Sequence, residues 1–283
     1  MTNRLQWEVF VSTQIPVVTN NLPPGMNEMK WSPISSTLIS GQRDAVLVDT
    51  AITVDQNHKL VAWIARSGKN LTAIYATHGH GDHFFGVNTI QKSFPMARFV
   101  ATREVIAVMR RQAAVSVVES YWEPRFPGQI DSTLIIADEL EGDVLELEGE
   151  QLISVPLGHT DTDSTTCLHV PSIRLVVCGD ALYNDVHLHL GESDSDGRKE
   201  WIAALDAIES LNSVAAIAGH KRPGALDTPN NIEATRKYIR DFDRIASHTT
   251  TALDLYNEML AIYPERVNAA VLWYSAQAVK RGN

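Results

Sequence analysis

Three short, nearly all-apolar segments each run into a turn that carries histidine or aspartate. LTAIYAT (71–77) leads into HGHGDH (78–83), IRLVVCG (173–179) into Asp180, and VAAIAG (214–219) into His220. Strands this apolar are covered on both faces, as in helix-flanked sheets, and such sheets place function outside the carboxyl ends of their strands. Three separate strand ends that each deliver a polar donor therefore predict a layered α/β fold with one site along a sheet edge.

The rest of the chain fits that frame. Further strand candidates are WEVFVST (7–13), STLIS (36–40), AVLVDT (45–50), ARFVAT (97–102), STLIIA (132–137), DVLELE (143–148), QLISVP (151–156) and TTCLHV (165–170). Amphipathic helical spacing appears over 54–66, 83–93, 103–118 and 198–211. After residue 225 the pattern is helical only, opened by Thr228-Pro229, with helices expected at 229–247, 249–262 and 264–280. No Gly/Ser or Pro-rich linker sets this part off, so the chain reads as one domain over 1–283, with a core at about 35–225 and a helical segment at 226–283.

Charge narrows the function classes. The formal net charge is -10 and no run of Lys or Arg forms a basic stripe, which argues against nucleic acid as a partner. Two cysteines, Cys167 and Cys178, are too few for a disulfide framework or a thiolate zinc site and are expected to stay buried thiols. The first residues, including Arg4, form no signal-peptide pattern, no run is long enough to span a membrane, and Arg281-Gly282-Asn283 is no lipidation box. The expectation is a cytoplasmic protein with a small-molecule substrate and no membrane or nucleic-acid partner.

HGHGDH packs three imidazoles and a carboxylate into six residues. Alternate positions leaving a strand point the same way, so His78 and His80 can meet one ion, while the turn into the next helix re-aims Asp82 and His83 at a second. Gly79 and Gly81 are expected to permit the tight turn. Imidazole and carboxylate donors suit zinc, iron or manganese better than copper(I).

HGHGDH after a strand, followed in order by GHTDTDS (158–164), CGD (178–180) and AGH (218–220), resembles the metallo-β-lactamase-fold superfamily of hydrolases. The resemblance implies a four-layer αββα sandwich, with the last helices packed outside. It also implies two metal ions per chain, zinc first, with iron or manganese as alternatives. His78, His80 and His159 would hold the first, Asp82, His83 and His220 the second, and Asp180 would bridge them. Asp49, ending AVLVDT, would be a buried carboxylate behind the ligands. Aspartate at 180, where zinc β-lactamases often use cysteine, is similar to the lactonase and glyoxalase-II branches. Tyr183, three residues on, resembles the tyrosine with which lactonases contact a substrate carbonyl.

Two ions sharing a hydroxide would supply a nucleophile at neutral pH, with Asp82 placed to orient it or carry its proton. A metal-dependent hydrolase that opens a lactone or related cyclic ester or amide is the leading expectation. A glyoxalase-II-like thioesterase, a β-lactamase, an iron-dependent oxidoreductase and a binding module with a structural metal are the alternatives. The loop 22–31, with Met26, Met29 and Trp31, would join Tyr121, Trp122 and Phe126 around an apolar substrate portion. His187 and His189 would share one face near the pocket. Lys221 and Arg222 would lie in a solvated turn or grip an anion, and Trp273 with Tyr274 would be core or a homodimer face.

Overall fold

The structure is a computed structural model that describes residues 5–281; Arg4 and the pair Gly282-Asn283 lie outside the described residues. Six strands form one sheet in sequence order: Gln6–Val11, Ser35–Ser40, Asp44–Val48, Asn70–Tyr75, Arg98–Ala101 and Asp138–Glu139. Its first three strands pair antiparallel and the later pairs are parallel. A second sheet runs Ala215–Ile217, Leu175–Val177, Thr165–Val170, Glu150–Gly158, Val144–Leu147.

Side-chain alternation divides the apolar residues into three layers. In Asp44–Val48, Ala45 and Leu47 face Leu60 and Ile64 of the helix Val54–Arg66, while Val46 and Val48 face the other sheet. In Leu175–Val177, Leu175 and Val177 point to that same inter-sheet layer and Val176 points outward, toward Trp201 and Phe242 of the helices Ser195–Ser210 and Asn230–His248. Helices, sheet, sheet, helices is the four-layer α/β sandwich expected from sequence. The buried Tyr75 hydroxyl joins the sheets, 2.6 Å from Ser154 Oγ and 2.7 Å from Thr166 Oγ1.

Local chemistry explains several boundaries. Thr53 caps Val54–Arg66 by accepting from Gln56 N, and Gln56 answers in a capping box. The periodicity over 103–118 breaks at Gln112, and a π-helical turn at Val118–Trp122 follows. The segment 132–137, expected as a strand, is irregular; the sheet is extended instead by Asp138–Glu139. Just before that segment the Asp131 carboxylate accepts from Asn88 Nδ2, Thr89 Oγ1 and Thr133 N. Cys167 and Cys178 are free, buried thiols. Among the described residues no helix is long and apolar enough to cross a membrane.

Candidate metal centre

The end of the strand Asn70–Tyr75 is fixed before the first histidine is reached. Asp49, at the end of the neighbouring strand and held at φ 59°, accepts from Thr77 N and Thr77 Oγ1, both at 2.8 Å. Its Oδ2 also lies 3.1 Å from His83 Nδ1. Thr77 Oγ1 lies 3.0 Å from His78 Nδ1. Each of these contacts occupies Nδ1 and leaves Nε2 turned inward, which is how a supporting partner presents an imidazole lone pair. His220 follows the same rule, with Nδ1 2.8 Å from Pro33 O.

The glycines of HGHGDH serve a different purpose from the one expected. Neither Gly79 nor Gly81 has positive φ. A methyl group on Gly79 would overlap Val108, and one on Gly81 would overlap the Phe85 ring, so both are there for close packing. At the third strand end, a methyl on Gly219 would strike Asp180 Oδ1.

The inward atoms form two adjoining groups. His78, His80, Asp161 and Asp180 can each bring one donor atom within 4.8 Å of the others, and so can Asp82, His83 and His220. Asp180 links the groups: its Oδ1 is 3.1 Å from His83 Nε2 and its Oδ2 is 3.0 Å from His220 Nε2. His220 Nε2 is also 3.6 Å from Asp82 Oδ2.

One expected donor is not among them. His159 stands apart, its Nδ1 2.7 Å from Asp163 Oδ1 and its Nε2 2.9 Å from Ser193 Oγ. Asp161 takes the place expected for it, fully buried, with Oδ2 2.9 Å from His80 Nδ1 and 3.8 Å from His78 Nε2. A register shift between Pro156 and Gly158, and positive φ at Gly158, swing the chain before His159. The turn closed by Thr160 N donating to Thr162 O then aims Asp161 inward. Full burial of Thr160 and Asp161 against a partly exposed His159 shows the same reversal.

These residues fit divalent metal. His78 Nε2, His83 Nε2, Asp161 Oδ2 and Asp180 Oδ1 are buried with no hydrogen-bond partner among the described residues. Leaving four such atoms unsatisfied costs about 1–3 kcal/mol each, so a cluster of them points to a cation-binding role rather than to packing. Burial opposes charge on His80, His83 and His220, but facing carboxylates outweigh it and hold all three above the usual imidazole range: Asp161 and Glu192 for His80, Asp180 and Asp82 for the other two. His78 goes the other way, lowered by burial and by His83. Burial disfavours the Asp180 carboxylate, yet His220 and His83 hold it well below the usual range. Metal uptake therefore competes with protons on the raised imidazoles. Calorimetry in buffers of different ionisation enthalpy is expected to show net proton release on adding Zn2+ to metal-free protein; uptake without release would contradict this charge distribution.

A cavity of about 490 Å³ opens over the cluster, with His80, Asp82, Asp180 and His220 on its floor. Met29, Trp31, Tyr121 and Trp122 form one wall. Trp31 packs edge-on against Trp122 and Phe126, and its Nε1 donates to Asp82 Oδ2 at 2.9 Å. The other wall comes from the last helix, Ala269–Arg281, through Val271, Trp273 and Tyr274. This helix thus shapes the site, and its aromatic stripe is a pocket wall.

Tyr183 is buried at the cavity floor and donates its hydroxyl to Asp180 Oδ2 at 2.8 Å. His187 and His189 do not share a face: His187 turns into the helices, with Nδ1 2.9 Å from Tyr238 Oη, while His189 lines the cavity and stacks on Tyr274. Lys221 is neither solvated nor facing the cavity, but buried in an ion pair with Asp227 at 2.6 Å. Glu192, which sequence reading passed over, lines the cavity 3.3 Å from His80 Nε2.

A family profile described as the metallo-beta-lactamase superfamily matches residues 29–220. Solved structures share the fold at low identity. A metallo-beta-lactamase family protein from Thermus thermophilus is 19% identical with a TM-score of 0.63, over 96% of this chain and 91% of that one. A beta-lactamase domain protein from Burkholderia ambifaria is 14% identical with a TM-score of 0.63, over 98% and 84%. A metallo-beta-lactamase from Pontibacter korlensis is 16% identical with a TM-score of 0.59, over 84% and 100%. A search among curated proteins returns no match.

Proposed function

The chain belongs to the metallo-beta-lactamase superfamily, and from that premise we propose that it is a hydrolase with two divalent metal ions, zinc first, acting on a lactone or related cyclic ester with an apolar substituent. The observation that carries this reading is the set of unsatisfied ligand atoms of His78, His83, Asp161 and Asp180, of which Asp180 also lines an aromatic-walled cavity. His78, His80, Asp161 and Asp180 would hold one ion, and Asp82, His83 and His220 the other, with Asp180 close enough to His83 and His220 to be shared. Divalent ions bound there supply Lewis acidity for a carbonyl and acidify water enough to give a nucleophile near neutral pH.

The chain's own groups do the rest. Trp31 holds Asp82 by one oxygen, leaving the other to orient a water or take its proton. Burial opposes the Glu192 carboxylate, but His80, His189 and Thr162 hold it ionised, so it presents a fixed negative charge at the cavity edge. Met29, Tyr121, Trp122 and Trp273 exclude water and bind an apolar chain. The wall built by Trp273 and Tyr274 lies beyond the matched residues 29–220 and is placed to contact the substrate's apolar part.

The Tyr183 phenol has a single hydrogen, which it gives to Asp180 in this structure. Presented to a substrate carbonyl instead, the same hydrogen would stabilise the developing oxyanion. Tyr183→Phe is expected to lower kcat about 100-fold with metal content unchanged. Loss of metal in that variant, or unchanged kinetics, would return Tyr183 to holding Asp180. The substrate class is tested by proton release with lactones of graded acyl length, β-lactams and glutathione thioesters. Selective opening of lactones, improving with chain length, is expected; turnover confined to lactams or thioesters would overturn the substrate assignment.

A further inference from the structure

We infer that Asp161, in place of the imidazole expected at His159, completes the first metal position, and that this gives the centre a preference for harder divalent ions than an imidazole there would. The inference rests on reading the cluster as a metal centre. His159 has both ring nitrogens engaged outside the cluster, with Asp163 and Ser193. Asp161 is fully buried, and its Oδ2 faces His80 Nδ1 and His78 Nε2 without a hydrogen-bond partner. Its other oxygen accepts from Thr160 Oγ1 at 3.0 Å, which fixes the carboxylate plane. An ionised carboxylate with one oxygen anchored and one bare, between two imidazoles, is placed as a ligand. Burial alone would favour the protonated acid, but His78 and His80 keep Asp161 below the usual carboxylate range.

The consequence is a change of donor set. The two positions draw on four imidazoles, His78, His80, His83 and His220, and on three carboxylates, Asp82, Asp161 and Asp180. Each position then has two nitrogen donors, one carboxylate of its own and a share in Asp180. With imidazole at the first position, the set would be five nitrogens and two carboxylates. Three carboxylate charges against the four positive charges of two divalent ions leave little net charge for incoming donors to offset. Oxygen donors favour manganese and comparable hard ions, whereas extra imidazole favours zinc.

The test needs no substrate. The metal-stripped 283-residue chain is dialysed against equal concentrations of Zn2+ and Mn2+, bound metal is counted by mass spectrometry, and Mn2+ is followed by electron paramagnetic resonance. The unaltered chain should take up two equivalents, Asp161→Asn about one, and His159→Gln two. Asp161→His should keep two while raising the bound Zn:Mn ratio about tenfold. Asn matches Asp in shape, and the His variant restores a donor, so a folding defect in either cannot mimic the pattern. Two equivalents in Asp161→Asn with one in His159→Gln, or an unchanged Zn:Mn ratio in Asp161→His, would overturn the inference and leave the metal centre standing. No uptake by the unaltered chain would overturn the metal centre itself.

Discussion

Asp180→Ala is expected to lower kcat/KM by about 10³-fold or more and to reduce bound metal together with it. The side chain is shared by both ligand groups, lying 3.1 Å from His83 Nε2 and 3.0 Å from His220 Nε2, and it accepts the Tyr183 hydroxyl. Its removal takes an anion from both positions and leaves three facing groups without their common partner. A loss of about 4 kcal/mol in transition-state stabilisation corresponds to about 10³ in rate. Asp180→Asn keeps the shape and removes the charge, so it separates packing from electrostatics. If the Asn variant kept full metal and full rate, the carboxylate charge would have no part in the chemistry.

The largest stability effect is expected at Asp49. Its carboxylate accepts from Thr77 N and Thr77 Oγ1 and supports His83 Nδ1, all in the interior. Asp49→Ala leaves these groups without an acceptor, at about 1–3 kcal/mol for each unsatisfied donor. It also puts alanine at φ 59°, a left-handed conformation that aspartate and asparagine adopt more readily. The expected sum is about 4 kcal/mol in urea unfolding, with metal affinity down about 10- to 100-fold. Asp49→Asn tolerates the backbone and keeps one acceptor, so its stability should fall by less. Equal losses in the two variants would mean that the backbone position, not the hydrogen bonds, carries the effect.

Much of the layered fold was legible in the sequence because each strand end carries its own signal. Thr53 and Gln56 mark the start of the helix at 54–66, and the apolar runs ending in HGHGDH, CGD and AGH name the sheet edge where the donors gather. His159 stands outside the donor group for a definite reason. Spacing assumes a regular strand up to Gly158, and the shift between Pro156 and Gly158 carries His159 outward and Asp161 in. The available signal was the aspartate two residues after the histidine. His187 and His189 failed on the same assumption, since the stretch is irregular apart from the bridge between Val186 and Val267. Trp31 as a donor to Asp82, and Trp273 with Tyr274 as a cavity wall, depend on contacts across more than 50 residues of chain and have no local pattern to read.

Metal titration of stripped protein, with bound metal and hydrolysis followed in the same samples, bears most directly on the central claim. A protein inactive without metal that regains hydrolysis in step with two bound equivalents is the expected result. Full hydrolysis by chain from which all divalent metal has been removed would contradict it.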